Sequence, residues 1–204
     1  MATPMIADFW LDPSCPYTWV TSRWLVEVAS VRPVTVCWRV MSLSVLNEGR
    51  DDDPEGDPEG YLWIPVRVCA AVCEEFGHDA LGRFYAELWN RAHATADWMA
   101  GLAGALARAE LPHKLAEVGL STAYDEVVRA SHAAAMAELG PHIGTPIIAT
   151  TTPAGSRVAF FGPVISRVPT GERAGELWDA VVTVAGTPGF HELKAAAHAE
   201  PHLD

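Results

Sequence analysis

The chain has 204 residues, half of them hydrophobic, and a formal net charge of -12 at neutral pH. This length allows one ordinary domain, or a small domain with a large insertion, and the composition predicts a globular protein. The negative charge disfavours nucleic acid and anionic membranes as partners, and no apolar run approaches the roughly 20 residues that span a bilayer. We therefore expect neither a nucleic-acid nor a membrane partner.

The start of the chain and its cysteines predict a reducing environment. Residues 1–8 contain no positively charged segment and no secretory signal, which predicts a cytoplasmic location where thiols stay reduced. The four cysteines form no Cys-x-x-C pair and no Cys/His cluster with zinc spacing. We therefore expect neither a disulfide framework nor a metal. These cysteines are Cys15, Cys37, Cys69 and Cys73.

The first part of the chain predicts a βαβ unit. Residues 6–11 are apolar and predict a buried strand, and a tight loop then leads into a helix at about residues 17–29. Pro16 suits the first helical turn, where its missing N–H removes no hydrogen bond. In residues 34–40 every second side chain, from Val34 to Val40, is apolar, and β-branched side chains are frequent, which predicts a second strand.

The middle of the chain predicts helices. Residues 50–60 are acidic, rich in Pro and Gly and free of apolar side chains, which predicts a surface loop. An EF-type spacing is absent, so a calcium site is disfavoured there. Apolar residues at helical spacing then predict a small bundle, with Ser121 as the cap of its last helix. The predicted helices are residues 62–76, 80–92, 96–109, 112–118 and 122–139.

The last part predicts a hairpin and a helix. Residues 146–150 and 157–161 predict two strands, residues 171–185 a helix, and the tail after Pro188 a further short helical piece. The order βαβ, helical block, ββα predicts an α/β thioredoxin fold with a helical insertion subdomain. We assign residues 1–43 and 144–204 to the thioredoxin-like domain and residues 44–143 to the insertion.

Cys15 is the candidate nucleophile. It precedes a helix N-terminus, where unpaired N–H groups and the helix dipole favour the thiolate. We therefore expect its pKa to lie below the usual thiol value, which would make it reactive. The position alone is equally compatible with a buried structural cysteine.

Thr145 and Pro146 provide a second indication. Gly144-Thr145-Pro146 opens the third strand, where a thioredoxin fold places a cis-proline facing the active-site loop. The sequence leaves the isomer open, since few X-Pro bonds are cis. If the bond is cis, the Thr145 backbone would lie beside Cys15 and could pair with an extended thiol-bearing substrate. Together these residues favour a catalytic thiol.

The segment around Cys15 reads Asp8-Phe9-Trp10-x-Asp12-Pro13-x-Cys15-Pro16-Tyr17-Thr18-Trp19. It resembles the active-site segment of DsbA-like proteins, most closely the actinobacterial mycothiol-dependent nitroreductases. The resemblance continues through residues 21–24, 40–48, 60–61, 65–68, 131–132, 144–146, 160–164 and 177–180. It implies a thioredoxin domain with a helical insertion, and thiol–disulfide or reductive chemistry that draws electrons from a low-molecular-weight thiol.

One departure from that family alters the expected chemistry. Relatives usually carry Cys-Pro-Trp-Cys, whereas this chain has Cys15-Pro16-Tyr17-Thr18. Because the second thiol is missing, a mixed disulfide at Cys15 must be resolved by another thiol, mycothiol or glutathione. Thr18 could donate its hydroxyl to the thiolate. We therefore predict a monothiol oxidoreductase, and the Ala/Gly/Arg-rich composition, typical of a high-GC genome, favours mycothiol.

Two alternatives remain open. Kappa-class glutathione transferases and 2-hydroxychromene-2-carboxylate isomerases share this architecture, and their loop, Ser-Pro-Tyr-Ser, is similar to this one. There the serine binds a thiol cofactor without forming a disulfide. The lost second cysteine would also fit a non-catalytic binding module with the thioredoxin fold.

Other residues are weaker candidates. Asn47, Tyr61 and His132 lie in segments that resemble the family and are predicted to line a substrate cleft, although ordinary packing is equally compatible. Trp19, beside the active-site loop, is the best candidate for substrate stacking. His142 could approach Cys15, but a solvated loop histidine is the simpler interpretation. The expected partners are a small-molecule thiol and a small-molecule or thiol-bearing substrate; a homodimer stays open.

Overall fold

The computed structural model describes residues 4–52, 54–90, 95, 97–141, 143–152 and 154–203. His142 therefore lies outside the described residues. The elements follow the predicted order, with helices between the second and third strands. They are β1 (Met5–Leu11), α1 (Pro16–Val31), β2 (Val34–Val40), α2 (Leu43–Leu46), α3 (Trp63–Phe76), α4 (His78–Leu88), α5 (Trp98–Arg108), a 3₁₀ helix (His113–Leu120), α6 (Asp125–Leu139), β3 (Ile147–Thr151), β4 (Arg157–Phe161) and α7 (Glu172–Ala185).

The four strands form one sheet in the order β2-β1-β3-β4. Strands β1 and β2 are parallel and are connected through α1, while β3 pairs antiparallel with both β1 and β4. The predicted βαβ unit and the predicted hairpin are therefore confirmed. Phe9 in the middle of β1 lies opposite Trp38 of β2 on one side and Ile148 of β3 on the other.

The two faces of the sheet bury different clusters. Phe9 belongs to the main core, which continues through α1 and α7 into the helical block. The neighbouring Trp10 points to the opposite face and packs with Met41 and Ala135 of α6 in a smaller cluster. Side chains alternate along a strand, so β1 is buried on both faces.

Three local predictions are wrong. Residues 113–120 form a 3₁₀ helix, and α6 begins only at Asp125, with Tyr124 as its N-cap. Ser121 does not cap that helix, because the helix begins four residues later; the Ser121 hydroxyl donates to the Val118 carbonyl instead. The described tail after residue 188 contains no helix.

The helical block starts with a helix that the sequence pattern did not indicate, α2, whose first turn is capped by the Ser42 hydroxyl accepting from the Val45 N–H. Residues 91, 92 and 96 of the predicted helices lie outside the described residues. The division into domains 1–43 plus 144–204 and 44–143 stays a prediction. No helix in the described ranges is both long and apolar enough to cross a bilayer.

Close packing between α4 and β2 fixes the helical block against the sheet. Gly82 of α4 faces the indole of Trp38, and a Cβ at this glycine would lie 2.6 Å from Cδ1 and 2.9 Å from Cε2 of that ring. The Trp38 side chain is buried between α4 and Phe9 of β1, with ring centroids 5.5 Å apart. The approach of α4 to the sheet therefore requires glycine at position 82.

We expect Gly82→Ala to lower the free energy of unfolding by about 1–3 kcal/mol, because the new methyl group overpacks a closed interface. The matched control is Gly104→Ala in α5, where the added Cβ meets only the flexible end of Arg108 at 3.1 Å. That change should stabilise the helix by about 0.5–1 kcal/mol. Urea unfolding of both variants measures the difference, and equal effects would contradict the packing argument.

Candidate active site

Cys15 lies between the end of β1 and the start of α1. It is the N-cap of α1, its carbonyl accepts the first helical hydrogen bond from the Trp19 N–H at 3.1 Å, and Pro16 is the first helical residue. The predicted strand–loop–helix is therefore confirmed. The Cys15 side chain is partly exposed, so a small reagent can reach it.

The expectation of a lowered pKa at Cys15 is wrong. Burial raises the pKa of the thiol, and the negative charge of Asp12 raises it further. Hydrogen bonds from the Thr18 side chain and from the backbone of Thr18 and Tyr17 oppose this shift without reversing it. The donors at the helix start are present as the sequence predicted, but desolvation of the thiolate outweighs them.

Asp12 is a fully buried carboxylate just before Cys15. Its Oδ1 accepts from the Ser14 N–H and its Oδ2 from the Leu43 N–H, both at 2.7 Å. Burial raises the pKa of Asp12 to about 6, against the effect of these two hydrogen bonds. In the sequence, Asp12 is recognisable only as part of the motif around Cys15. Its role as the link between the active-site loop and the start of α2 appears only in the fold.

Thr18 and Thr145 meet beside Cys15. Their hydroxyl oxygens lie 3.0 Å apart, and the Thr145 hydroxyl also donates to the Trp10 carbonyl at 3.3 Å. The Thr145–Pro146 bond, whose isomer the sequence left open, is cis. Each hydroxyl can donate one hydrogen bond at a time. When Thr18 donates to a Cys15 thiolate, the Thr145 hydroxyl can rotate and donate to the Thr18 oxygen.

A second cis bond, at Gly162–Pro163, was not indicated by the sequence. It lies close to the same site, because the Pro163 carbonyl accepts from the Thr21 hydroxyl of α1 at 2.8 Å. The Gly162 N–H donates to the Pro146 carbonyl, also at 2.8 Å. These hydrogen bonds connect the segment after β4 to both α1 and the Thr145–Pro146 loop.

Trp19 does not offer a face for substrate stacking, so that prediction is wrong. It is only 8% exposed. Trp89 stacks on it with ring centroids 5.7 Å apart and an interplanar angle of 9°, and the Arg23 guanidinium lies 4.2 Å from its centroid. The Trp89 indole N–H donates to the Pro13 carbonyl at 3.0 Å, so this aromatic cluster supports the loop from the helical block.

Tyr85 of α4 is a further buried residue near Cys15, and the sequence pattern did not indicate it as part of the site. It lies edge-on to Trp19, with centroids 5.5 Å apart, and its hydroxyl has no hydrogen-bond partner among the described residues. Burial raises the pKa of this phenol well above its usual value, and the thiolate of Cys15 and the carboxylate of Asp12 add to the effect. Tyr85 is therefore neutral near the thiol.

A cavity of about 370 Å³ opens beside the active-site loop. This is within the size range of small-molecule sites. Its wall combines loop residues with polar and aromatic residues of the helical block, and Arg108 pairs with Glu87 at 2.8 Å within it. The lining residues are Pro13, Ser14, Leu62, Pro65, Glu87, Leu88, Trp89, Asn90, Thr95, Asp97, Trp98, Gly101, Leu102 and Arg108.

The three weaker candidates lie apart from this cavity. Asn47 lines a smaller one of about 210 Å³ and donates to Glu55 at 3.1 Å. Tyr61 is 62% exposed on the adjacent loop. His132 is 7% exposed, its Nδ1 accepts a long hydrogen bond from the Ser42 N–H at 3.4 Å, and burial followed by the Arg129 charge lowers its pKa. Their substrate-binding role stays a prediction.

The other three cysteines do not extend the site. Cys69 is buried, whereas Cys37 and Cys73 are partly exposed. Burial raises the pKa of all three thiols. Among the residues that the structure describes, no group of three or more His, Cys, Asp or Glu side chains could hold a metal ion.

A comparison with protein families identifies the group to which this site belongs. Residues 14–195 match the family described as Rv2466c-like, mycothiol-dependent nitroreductase Rv2466c. The chain belongs to this family. It is therefore a thiol-dependent oxidoreductase, with a low-molecular-weight thiol as its partner. Family membership favours this function over the transferase, isomerase and binding-module alternatives.

Individual relatives agree with the fold. The uncharacterized protein Rv2286c of Mycobacterium tuberculosis is 29% identical over 205 residues, which cover 92% of this chain and 80% of that protein. A probable DsbA oxidoreductase, SCO1869 from Streptomyces coelicolor, superposes with a TM-score of 0.53 at 18% identity, over 94% of both chains. A putative protein disulfide isomerase from Nitrosomonas europaea gives 0.51 at 13% identity, over 90% of this chain and all of the other. The α/β thioredoxin fold is thereby confirmed.

We expect Asp12→Asn to lower the pKa of Cys15, because it removes a negative charge that disfavours the thiolate. As the pH is increased, the rate of Cys15 alkylation should then begin to rise at a lower pH than it does in the unchanged protein. The pH profile with iodoacetamide, read by peptide mapping, measures this. Asp179→Asn on α7, where the exposed carboxylate pairs with Arg32, is the control and should not shift the profile. An unchanged or raised pKa in Asp12→Asn would refute the electrostatic coupling.

We expect Thr18→Val to raise the pKa of Cys15 further, because it removes the hydroxyl that donates to the thiolate while keeping the side-chain shape. Thr18→Ser keeps the hydroxyl and should leave the pKa close to that of the unchanged protein. The same alkylation profile distinguishes the two. Identical profiles for valine and serine at position 18 would show that the hydroxyl has no part in stabilising the thiolate.

Proposed function

We propose that this protein is a monothiol oxidoreductase in which Cys15 exchanges disulfides with mycothiol. The observation that supports this most directly is the pair of hydroxyls beside Cys15. Thr18 stands where the resemblance to the family implies a second active-site cysteine, and its hydroxyl oxygen lies 3.0 Å from that of Thr145. A hydroxyl there can stabilise the thiolate but cannot attack a mixed disulfide.

The proposed reaction has three exchange steps, of which the first two take place at Cys15. The Cys15 thiolate attacks one sulfur of a disulfide R′S–SR′, which forms a Cys15–SR′ bond and releases R′S⁻. A low-molecular-weight thiol RSH, after losing its proton, attacks the R′ sulfur, which releases Cys15 and forms RS–SR′. A second RSH converts RS–SR′ into R′SH and RS–SR. In total, two RSH reduce one R′S–SR′ to two R′SH.

The raised pKa of Cys15 fits this scheme. Near neutral pH only a small fraction of Cys15 is thiolate, but a thiolate of high pKa is intrinsically the stronger nucleophile. The same thiolate is a poor leaving group, so a mixed disulfide at Cys15 should persist until excess thiol attacks it. The site is therefore suited to form a lasting adduct rather than to release it quickly.

The cavity beside the loop supports mycothiol over glutathione. Mycothiol is an uncharged pseudodisaccharide with a cysteinyl thiol, whereas glutathione has two carboxylates and a net negative charge. Among its described lining residues the cavity has the carboxylates of Glu87 and Asp97 and the cation of Arg108, which is paired with Glu87. Carboxylates can accept hydrogen bonds from sugar hydroxyls but repel a carboxylate ligand. A reduced low-molecular-weight thiol is available in the cytoplasm, where we place the protein.

We expect the reduced protein to form a single covalent adduct with oxidised mycothiol, seen as one mass increase by intact-mass spectrometry. Cys15→Ser should abolish this adduct, and excess reduced thiol should reverse it. Oxidised glutathione should react more slowly, because the acidic cavity repels it. In Thr18→Cys the adduct should not accumulate, since the second thiol expels it and leaves an intramolecular disulfide.

The contrary outcomes are distinct. An adduct on Cys37, Cys69 or Cys73 alone would exclude Cys15 as the exchanging thiol. Binding of reduced mycothiol without any adduct would favour the transferase-like use of the loop. An adduct that accumulates equally in Thr18→Cys would show that position 18 is not placed to resolve the disulfide.

A further inference from the structure

The end of the chain contacts the active-site loop. The Tyr17 hydroxyl donates to the Ala199 carbonyl at 3.1 Å, and the rings of Tyr17 and His198 lie with centroids 5.5 Å apart. Tyr17 is two residues from Cys15 and lies in the first turn of α1. The C-terminal segment, defined as residues 196–203, therefore covers the loop at Tyr17.

The C-terminal segment is also fixed beyond these contacts. The His202 N–H donates to the Ser166 carbonyl at 2.8 Å, and Arg167 donates from Nε to His202 Nε2 at 3.1 Å. Leu203 packs against the main core. Two attachments, one at the loop after β4 and one at Tyr17, hold a stretch that has no helix or strand of its own.

These contacts are outside the part of the chain that matches the family. The match ends at residue 195, so His198, Ala199, His202 and Leu203 all follow it. The C-terminal segment thus lies beyond the residues that the family model matches.

We propose that the C-terminal segment is a substrate-size filter, which admits small-molecule disulfides and thiols to Cys15 and excludes polypeptide disulfides. This inference rests on the proposed function. A polypeptide that pairs with the loop needs surface on both sides of the thiol, and the segment occupies the surface at Tyr17. A cavity of about 370 Å³ lies beside the same loop, with Pro13 and Ser14 among its lining residues, and its volume suits a small ligand.

The test compares two maleimides of different size on Cys15. N-ethylmaleimide and a maleimide on a long polyethylene glycol chain react through the same group, so the ratio of their rates does not depend on the thiolate fraction. The unchanged protein is compared with a variant that ends at Ala195. The large reagent can react only while the segment is displaced from the loop. If this displaced state is populated for roughly a tenth of the time, removing the segment should raise the reaction rate of the large reagent about tenfold. Peptide mapping assigns the product to Cys15.

Two substitutions serve as a milder variant and a control. Tyr17→Phe removes the hydrogen bond to Ala199 but keeps the ring, and should give a smaller increase of the large-to-small ratio. Lys194→Ala precedes the segment, and its exposed ammonium pairs with Glu192, so the ratio should stay unchanged. If circular dichroism shows that the shortened chain does not fold, Tyr17→Phe decides the result.

A folded shortened chain with the same ratio as the full chain would overturn the proposal. So would equal acceleration of both reagents, since this indicates greater thiol reactivity rather than wider access. Alkylation of Cys15 by a maleimide involves no disulfide exchange. The outcome of this test is therefore independent of the outcome of the mixed-disulfide experiment. Failure of the filter with a normal mycothiol adduct would leave the monothiol function intact.

Discussion

The buried carboxylate of Asp12 is the constraint on which the active site depends. It accepts hydrogen bonds from the Ser14 N–H in the loop and from the Leu43 N–H at the start of α2, so one side chain fixes both segments. The same burial raises its pKa to about 6 and places a negative charge where it opposes ionisation of Cys15. The geometry of the loop and the acidity of its thiol are therefore set together.

The chemistry at Cys15 reflects a balance between desolvation and hydrogen bonding. Burial disfavours the thiolate, while the helix N–H groups and the Thr18 hydroxyl favour it. The Thr18 hydroxyl is hydrogen-bonded to the Thr145 hydroxyl, which can donate to Thr18 when Thr18 donates to the sulfur of Cys15. In the proposed monothiol scheme, Thr18 replaces the second thiol of a dithiol enzyme, and a separate thiol completes each exchange.

Two distant parts of the chain surround the active-site loop. On one side the helical block supplies Trp89, which supports Pro13, and an acidic cavity beside it. At Tyr17 the C-terminal segment covers the loop through His198 and Ala199. The helical block and the last residues of the chain, which are far apart in sequence, therefore both contact the active-site loop.

The sequence by itself determined the strands, most helices and the place of Cys15 at a helix start, because these depend on local periodicity and on Pro16. Its motifs also indicated the family. Only the tertiary structure decided the sign of the pKa shift at Cys15, the stacking of Trp89 on Trp19 and the contact of Tyr17 with Ala199. Each of these depends on how closely distant segments pack, and desolvation and stacking are properties of that packing rather than of local sequence.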